Sequence, residues 1–165
     1  MELRIAGLEP ESITDGEGLR YTVFTQGCPH GCIGCHNPES HDFDGGRLMD
    51  TREIFLAFRE NPLLTGISFS GGEPFCQPLP LWELAQWVHD CRKDVTVYSG
   101  WTYEELLARP DPGVRKLLAQ TDILVDGRYE ASLRNLALRF RGSENQRVID
   151  MAETRKQGKV VEYSR

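Results

Sequence analysis

The chain has 165 residues and a formal net charge of −6, with 25 acidic side chains against 19 Lys and Arg. That acidity argues against general nucleic-acid binding, and no run of about eighteen apolar residues is present to span a membrane. The length suits one domain, residues 1–165, and the start Met1-Glu2-Leu3-Arg4-Ile5 carries no secretory pattern, so the cytoplasm is the expected compartment.

In chain order, Ile13 to Arg20 reads as a turn, because Asp15, Gly16 and Gly18 supply turn chemistry. Leu19 to Gln26 is rich in β-branched and aromatic residues and is predicted as a strand. A loop follows that holds Cys28, Cys32 and Cys35. A helix is predicted after Asp50 or Thr51, either of which can cap it, with Ile54, Phe55 and Phe58 inward and Asn61-Pro62 at its end. Gly66 to Ser70 is a short strand that runs into Gly71-Gly72-Glu73-Pro74.

Leu81, Leu84, Ala85, Val88 and Cys91 recur at helical spacing, which puts Cys91 on a core face. Asp94 to Ser99 is a strand, and Thr102 with Glu105 forms a capping box that opens a short helix. Pro110 and Pro112 break it, and Val114 to Ala119 is helical again. Thr121 to Asp126, Arg147 to Met151 and Lys159 to Tyr163 read as strands, with Ala152 to Gln157 helical. Strands alternating with helices predict an α/β fold with a mostly parallel sheet and right-handed crossovers. The units are too few for an eight-fold barrel, so the expected form is a partial, open (β/α) barrel. In such folds chemistry sits at the strand C-termini, where the cysteine loop, Gly-Gly-Glu-Pro, Ser99 and Asp126 all fall.

The cysteine loop carries the strongest chemical signal. Three thiols lie within eight residues, interleaved with Gly31 and Gly34, which bend the backbone at little cost. Such sets hold iron–sulfur clusters or zinc. A zinc knot could take His30, His36 or His41 as its fourth ligand. Three protein thiolates on a four-iron cluster leave one iron open, whereas an electron carrier closes the cluster with a fourth cysteine. Gly71 and Gly72 let a ligand approach the backbone, and Pro74 biases Glu73 toward an extended conformation. Together these loops describe a pocket for an amino acid whose amine faces the metal.

The cysteine spacing, the strand before it and Gly71-Gly72-Glu73-Pro74 resemble the radical S-adenosylmethionine superfamily. Asp15-Gly16-Glu17-Gly18-Leu19-Arg20, Gln26-Gly27-Cys28 and Cys35-His36-Asn37-Pro38 resemble its glycyl-radical-enzyme activases. Asp122 to Gly127 and Phe140 to Arg147 resemble the branch acting on anaerobic ribonucleoside-triphosphate reductase.

The resemblance implies that Cys28, Cys32 and Cys35 hold a [4Fe–4S] cluster whose open iron is chelated by S-adenosylmethionine. Reductive cleavage would give methionine and a 5′-deoxyadenosyl radical, which takes a glycine hydrogen from the reductase. A flavodoxin- or ferredoxin-like donor is implied as the electron source. Gly71, Gly72 and Glu73 would take the methionine amine, and Gly34 and His36 would flank adenine. The superfamily's aromatic residue before the third cysteine is replaced here by Gly34. Ser99 would reach the ribose or carboxylate, and Asp126 and Arg128 would line the pocket. Asp15, Arg20, Arg141 and Arg147 would meet the partner. Competing readings of the same residues are simpler: a loop hydrogen bond for His36, a turn cap for Ser99, a solvated charge for Arg128, internal pairing for Arg141 or Arg147. The rival functions are another radical enzyme, such as a formate-lyase activase, and a non-catalytic iron–sulfur carrier.

Overall fold

The computed structural model describes residues 1–164. The chain runs β1 (Glu2–Ser12), β2 (Arg20–Thr25), β3 (Arg47–Asp50), α1 (Thr51–Arg59), β4 (Gly66–Gly71), α2 (Pro78–Asp90), β5 (Asp94–Tyr98), α3 (Tyr103–Ala108), α4 (Pro112–Ala119), β6 (Ile123–Asp126), β7 (Arg147–Asp150) and α5 (Met151–Gln157). The described strands make one open sheet in the order β3-β1-β2-β4-β5-β6-β7. Its centre, β2, β4, β5 and β6, is parallel, as the strand–helix alternation predicts. Its edges are antiparallel: β1 and β3 on one side, β7 on the other.

Alternation along the central strands sorts the two faces. Val23, Phe69, Val97 and Leu124 join the apolar core. There they meet Ile54 and Phe58 of α1, Leu81, Leu84 and Val88 of α2, and Val114 and Leu117 of α4. Leu84 is fully buried; cutting it to Ala would cost roughly 2–5 kcal/mol. The next residue on each strand points to the opposite face: Phe24, Ser70, Tyr98 and Val125 line a cavity there. No residue of an α-helix lines that cavity. The segment between β6 and β7 folds back over it, held by a bridge between Arg134 and Ser143.

Local signals account for the element ends. Asp50 caps α1 by accepting from the Arg52 N–H, and Thr102 with Glu105 closes a complete capping box on α3. Three expectations are corrected. β1 and β3 were not anticipated. Leu3 and Ile5 are the only core side chains of β1, so its 11 residues give little alternation to read. Lys159 to Tyr163 forms no strand, only a bridge from Glu162 to Ile149. Cys91 is the C-cap of α2, outside the core cluster and part-exposed, because the helix stops one residue before it. No described helix is long and apolar enough to cross a membrane.

Candidate cluster and cofactor site

The strand register gathers the site. Thr25 pairs with Gly71, Phe69 with Val97 and Tyr98 with Val125, so the C-terminal ends of β2, β4, β5 and β6 share one edge. Cys28, Cys32 and Cys35 leave that edge and line one cavity of about 120 Å³ with Gly71, Gly72, Ser99 and Tyr129. Ser70, Tyr98, Val125, Tyr129 and Gln146 line both this cavity and a second of about 490 Å³ beside it.

The glycines of the second loop are steric necessities. A Cβ on Gly72 would lie 2.4 Å from the Gly27 carbonyl oxygen, and one on Gly71, whose φ is +89°, would lie 2.6 Å from the Thr25 nitrogen. This contact lets Gly72 N–H donate to the Thr25 carbonyl and Glu73 N–H to the Gly27 carbonyl, both at 2.8 Å. The two loops therefore share a rigid root. Among the described residues nothing donates to the Gly72 carbonyl.

Glu73 is placed differently from expectation. Its carboxylate is fully buried and already accepts from His30 Nε2, Ser99 Oγ and the N–H groups of Phe75 and Gly100, at 2.6–3.0 Å. It braces the loop, and Ser99 spends its hydroxyl on that brace while its residue still lines the cavity.

Asp126 is also an internal hub. It is 1% exposed and accepts from Tyr103 N–H and from Arg147. Arg147 is thus spent inside the protein, as is Arg20. Arg20 is fully buried and donates to Ser68, the Glu17 and Ile67 carbonyls and Asp94. Arg20 has no exposed surface, and the part-exposed Arg147 already pairs with Asp126 and Glu104. Arg128 forms a two-point pair with Glu105 at 3.1 Å and lines neither cavity. Asp15, His36 and Arg141 do line the larger cavity. His36 leans on Tyr129 at 5.2 Å, and Gly34 lies beneath the same ring, 3.6 Å from a would-be Cβ. Tyr98 and Tyr129 were missed in sequence. Each follows or ends a central strand, which was the available signal.

The donor set fits a cluster in kind. It offers soft thiols from one glycine-rich loop on one cavity wall. Cys76 is exposed and Cys91 is at the far end of α2; neither lines the cavity. Among the described residues no three His, Cys, Asp or Glu side chains lie close enough together to hold a metal ion, so the three cysteines share a cavity wall without converging on one point. Burial, with the neighbouring carboxylate and thiols, pushes the Cys28 thiol up to about 11. A bound cation would reverse that balance and favour the thiolate.

Comparison with known proteins shows the family. A family model described as a 4Fe-4S single cluster domain matches residues 14–149. The anaerobic ribonucleoside-triphosphate reductase-activating protein of Pasteurella multocida (strain Pm70) is 36% identical over 146 residues, which cover 83% of this chain and 90% of that one. The chain belongs to this activating-protein family. Relatives of the same name from Haemophilus influenzae and Escherichia coli K12 are 33% and 31% identical, across 83% of this chain and 91% and 92% of theirs. Among solved structures, QueE from Escherichia coli aligns at TM-score 0.48 with 16% identity, over 62% of this chain and 54% of that one. The family match includes every cysteine of the loop and the whole parallel centre of the sheet.

Proposed function

We propose that this protein is a radical S-adenosylmethionine activase of anaerobic ribonucleoside-triphosphate reductase, working as one domain. The observation that carries the reading is the shared cavity: three cysteines of one loop line it together with Gly71 and Gly72, and neither Cys76 nor Cys91 does. Cys28, Cys32 and Cys35 would hold a [4Fe–4S] cluster, and the donor-free Gly72 carbonyl would accept from the amine of S-adenosylmethionine. When bound, this pair supplies an electron to a sulfonium and a carbon radical able to remove hydrogen from a glycine of the reductase.

The rest is the protein's work. Glu73 and Ser99 hold the amine-facing loop in place. Tyr129 shelters Gly34 and His36, the adenine-side residues. The larger cavity gives the reductase's glycine segment room beside the smaller one, with Asp15 and Arg141 on its wall. Its mixed polar lining suits a peptide backbone. Position decides the product here, because a primary carbon radical attacks what lies nearest. Asp126, Arg128 and Arg147 support this wall without touching the cofactor. A flavodoxin- or ferredoxin-like protein would deliver the electron.

The test is electron paramagnetic resonance of the reductase after anaerobic incubation with this protein, a reductant and S-adenosylmethionine. A glycyl radical on the reductase and none on formate-lyase is the expected result. A protein that makes no 5′-deoxyadenosine under these conditions is a carrier, and the reading fails.

A further inference from the structure

One side chain of the cysteine loop turns inward. His30, between Cys28 and Cys32, has a side chain only 4% exposed, while Pro29, Gly31 and Ile33 around it are exposed. Its Nε2 lies 2.6 Å from Glu73 Oε1. Its ring stands edge-on to Trp101 with centroids 4.7 Å apart, above Gly100, where any Cβ would come within 2.4 Å of His30 Cδ2. Among the described residues His30 is the only His, Lys or Arg side chain within 4 Å of the fully buried Glu73 carboxylate. One residue of the cysteine loop, two positions from Cys28 and two from Cys32, thus touches the carboxylate that braces the amine-facing loop.

We propose that His30 is a positioning residue that locks the middle of the cysteine loop to the Gly71–Glu73 loop. This rests on the reading of the site given above. The backbone bond from Glu73 to Gly27 ties the two loops only at their root. Beyond it the cysteine loop has no regular structure until the short turn at Pro38–Ser40. A ligand that must meet both loops at once binds tightly only when their relation is already set. The His30 ring sets it, and Gly100 is glycine because the ring needs that space. Outer hydrogen bonds of this type are worth on the order of ten- to a hundredfold at metal sites.

The experiment compares wild type, His30→Phe and His30→Gln, each reconstituted anaerobically with iron and sulfide. His30→Phe keeps a ring against Trp101 but has no donor for Glu73; His30→Gln places an amide N–H at similar reach. Iron and sulfide per chain, the dissociation constant for S-adenosylmethionine by equilibrium dialysis, and the change in the reduced cluster's paramagnetic spectrum on adding S-adenosylmethionine are measured. All three proteins are expected to load equally. His30→Phe should bind S-adenosylmethionine on the order of tenfold more weakly, with a diminished spectral change. His30→Gln should return to within about threefold of wild type. A His30→Phe protein that binds and responds as wild type overturns the proposal, as does one that fails to load iron, or a His30→Gln protein as weak as His30→Phe. Wild type that loads the cluster yet binds no S-adenosylmethionine refutes the reading of the site itself.

Discussion

Arg147 grips Asp126 at two points, Nε at 3.0 Å from Oδ1 and a terminal nitrogen at 2.6 Å from Oδ2. The same guanidinium donates to both oxygens of Glu104, at 2.7 and 3.2 Å. One cation therefore ties the antiparallel edge strand β7 to the end of β6 and to α3. The cost of losing it is set by Asp126, which is buried and would be left charged with only the Tyr103 N–H. Breaking a buried pair costs about 3–5 kcal/mol; with Arg147 itself 29% exposed, Arg147→Ala should fall at or below the low end, about 2–3 kcal/mol. Chemical denaturation measures this. Arg147→Lys should recover part of it, since a point charge cannot make the fork.

Arg20 should be still less replaceable. It enters the sheet at the start of β2 and donates to groups of the preceding turn, β4 and the start of β5. Arg20→Met removes the charge but leaves the Ile67 carbonyl and Ser68 Oγ short of a donor and Asp94 without its partner. The expected loss is about 3–5 kcal/mol in the same denaturation experiment. A change that leaves the midpoint unmoved would contradict the network drawn here.

These two arginines also mark where the sequence runs out. A charged residue in a Gly-rich turn reads as surface, because Arg is seldom fully buried unless paired. Its partners lie in segments far along the chain that no local pattern connects. The same applies to Glu73, whose donors come from the cysteine loop, from its own turn and from the end of β5. By contrast, the cysteine spacing, the caps of α1 and α3 and the central strands are local features, and they were legible. The antiparallel edges were not. β3 is a four-residue strand with no buried residue, and β1 puts only its first half into the core.

The pH dependence of folding should show one identifiable contribution. His89 faces Asp122 at 2.8 Å through Nε2 and Gln120 at 2.7 Å through Nδ1, and the Asp122 hydrogen bond raises its pKa above the usual 6.5. A histidine with a raised folded pKa contributes fully below the unfolded value and loses that contribution as pH rises through the folded one. The melting temperature of wild type should therefore exceed that of His89→Gln most at about pH 5.5–6, and the gap should narrow above about pH 7. A gap that widens with pH would reverse the assignment.

Glycine substitutions should separate the two loops from ordinary positions. Gly72→Ala pushes a methyl group to 2.4 Å from the Gly27 carbonyl oxygen, a backbone atom that can yield only by moving the root of the cysteine loop. Iron and sulfide retained after anaerobic reconstitution should fall severalfold. Gly7→Ala, whose Cβ would meet nothing within 4 Å, should load as wild type. Equal loading of the two would show that the loops do not need their contact.

The ligand assignment is tested most directly by 5′-deoxyadenosine released from S-adenosylmethionine by the reduced, reconstituted protein. Wild type, Cys76→Ser and Cys91→Ser are expected to release it, and Cys28→Ala, Cys32→Ala and Cys35→Ala to release none. Release by Cys32→Ala together with its loss in Cys91→Ser would contradict the three-thiol site at the end of β2.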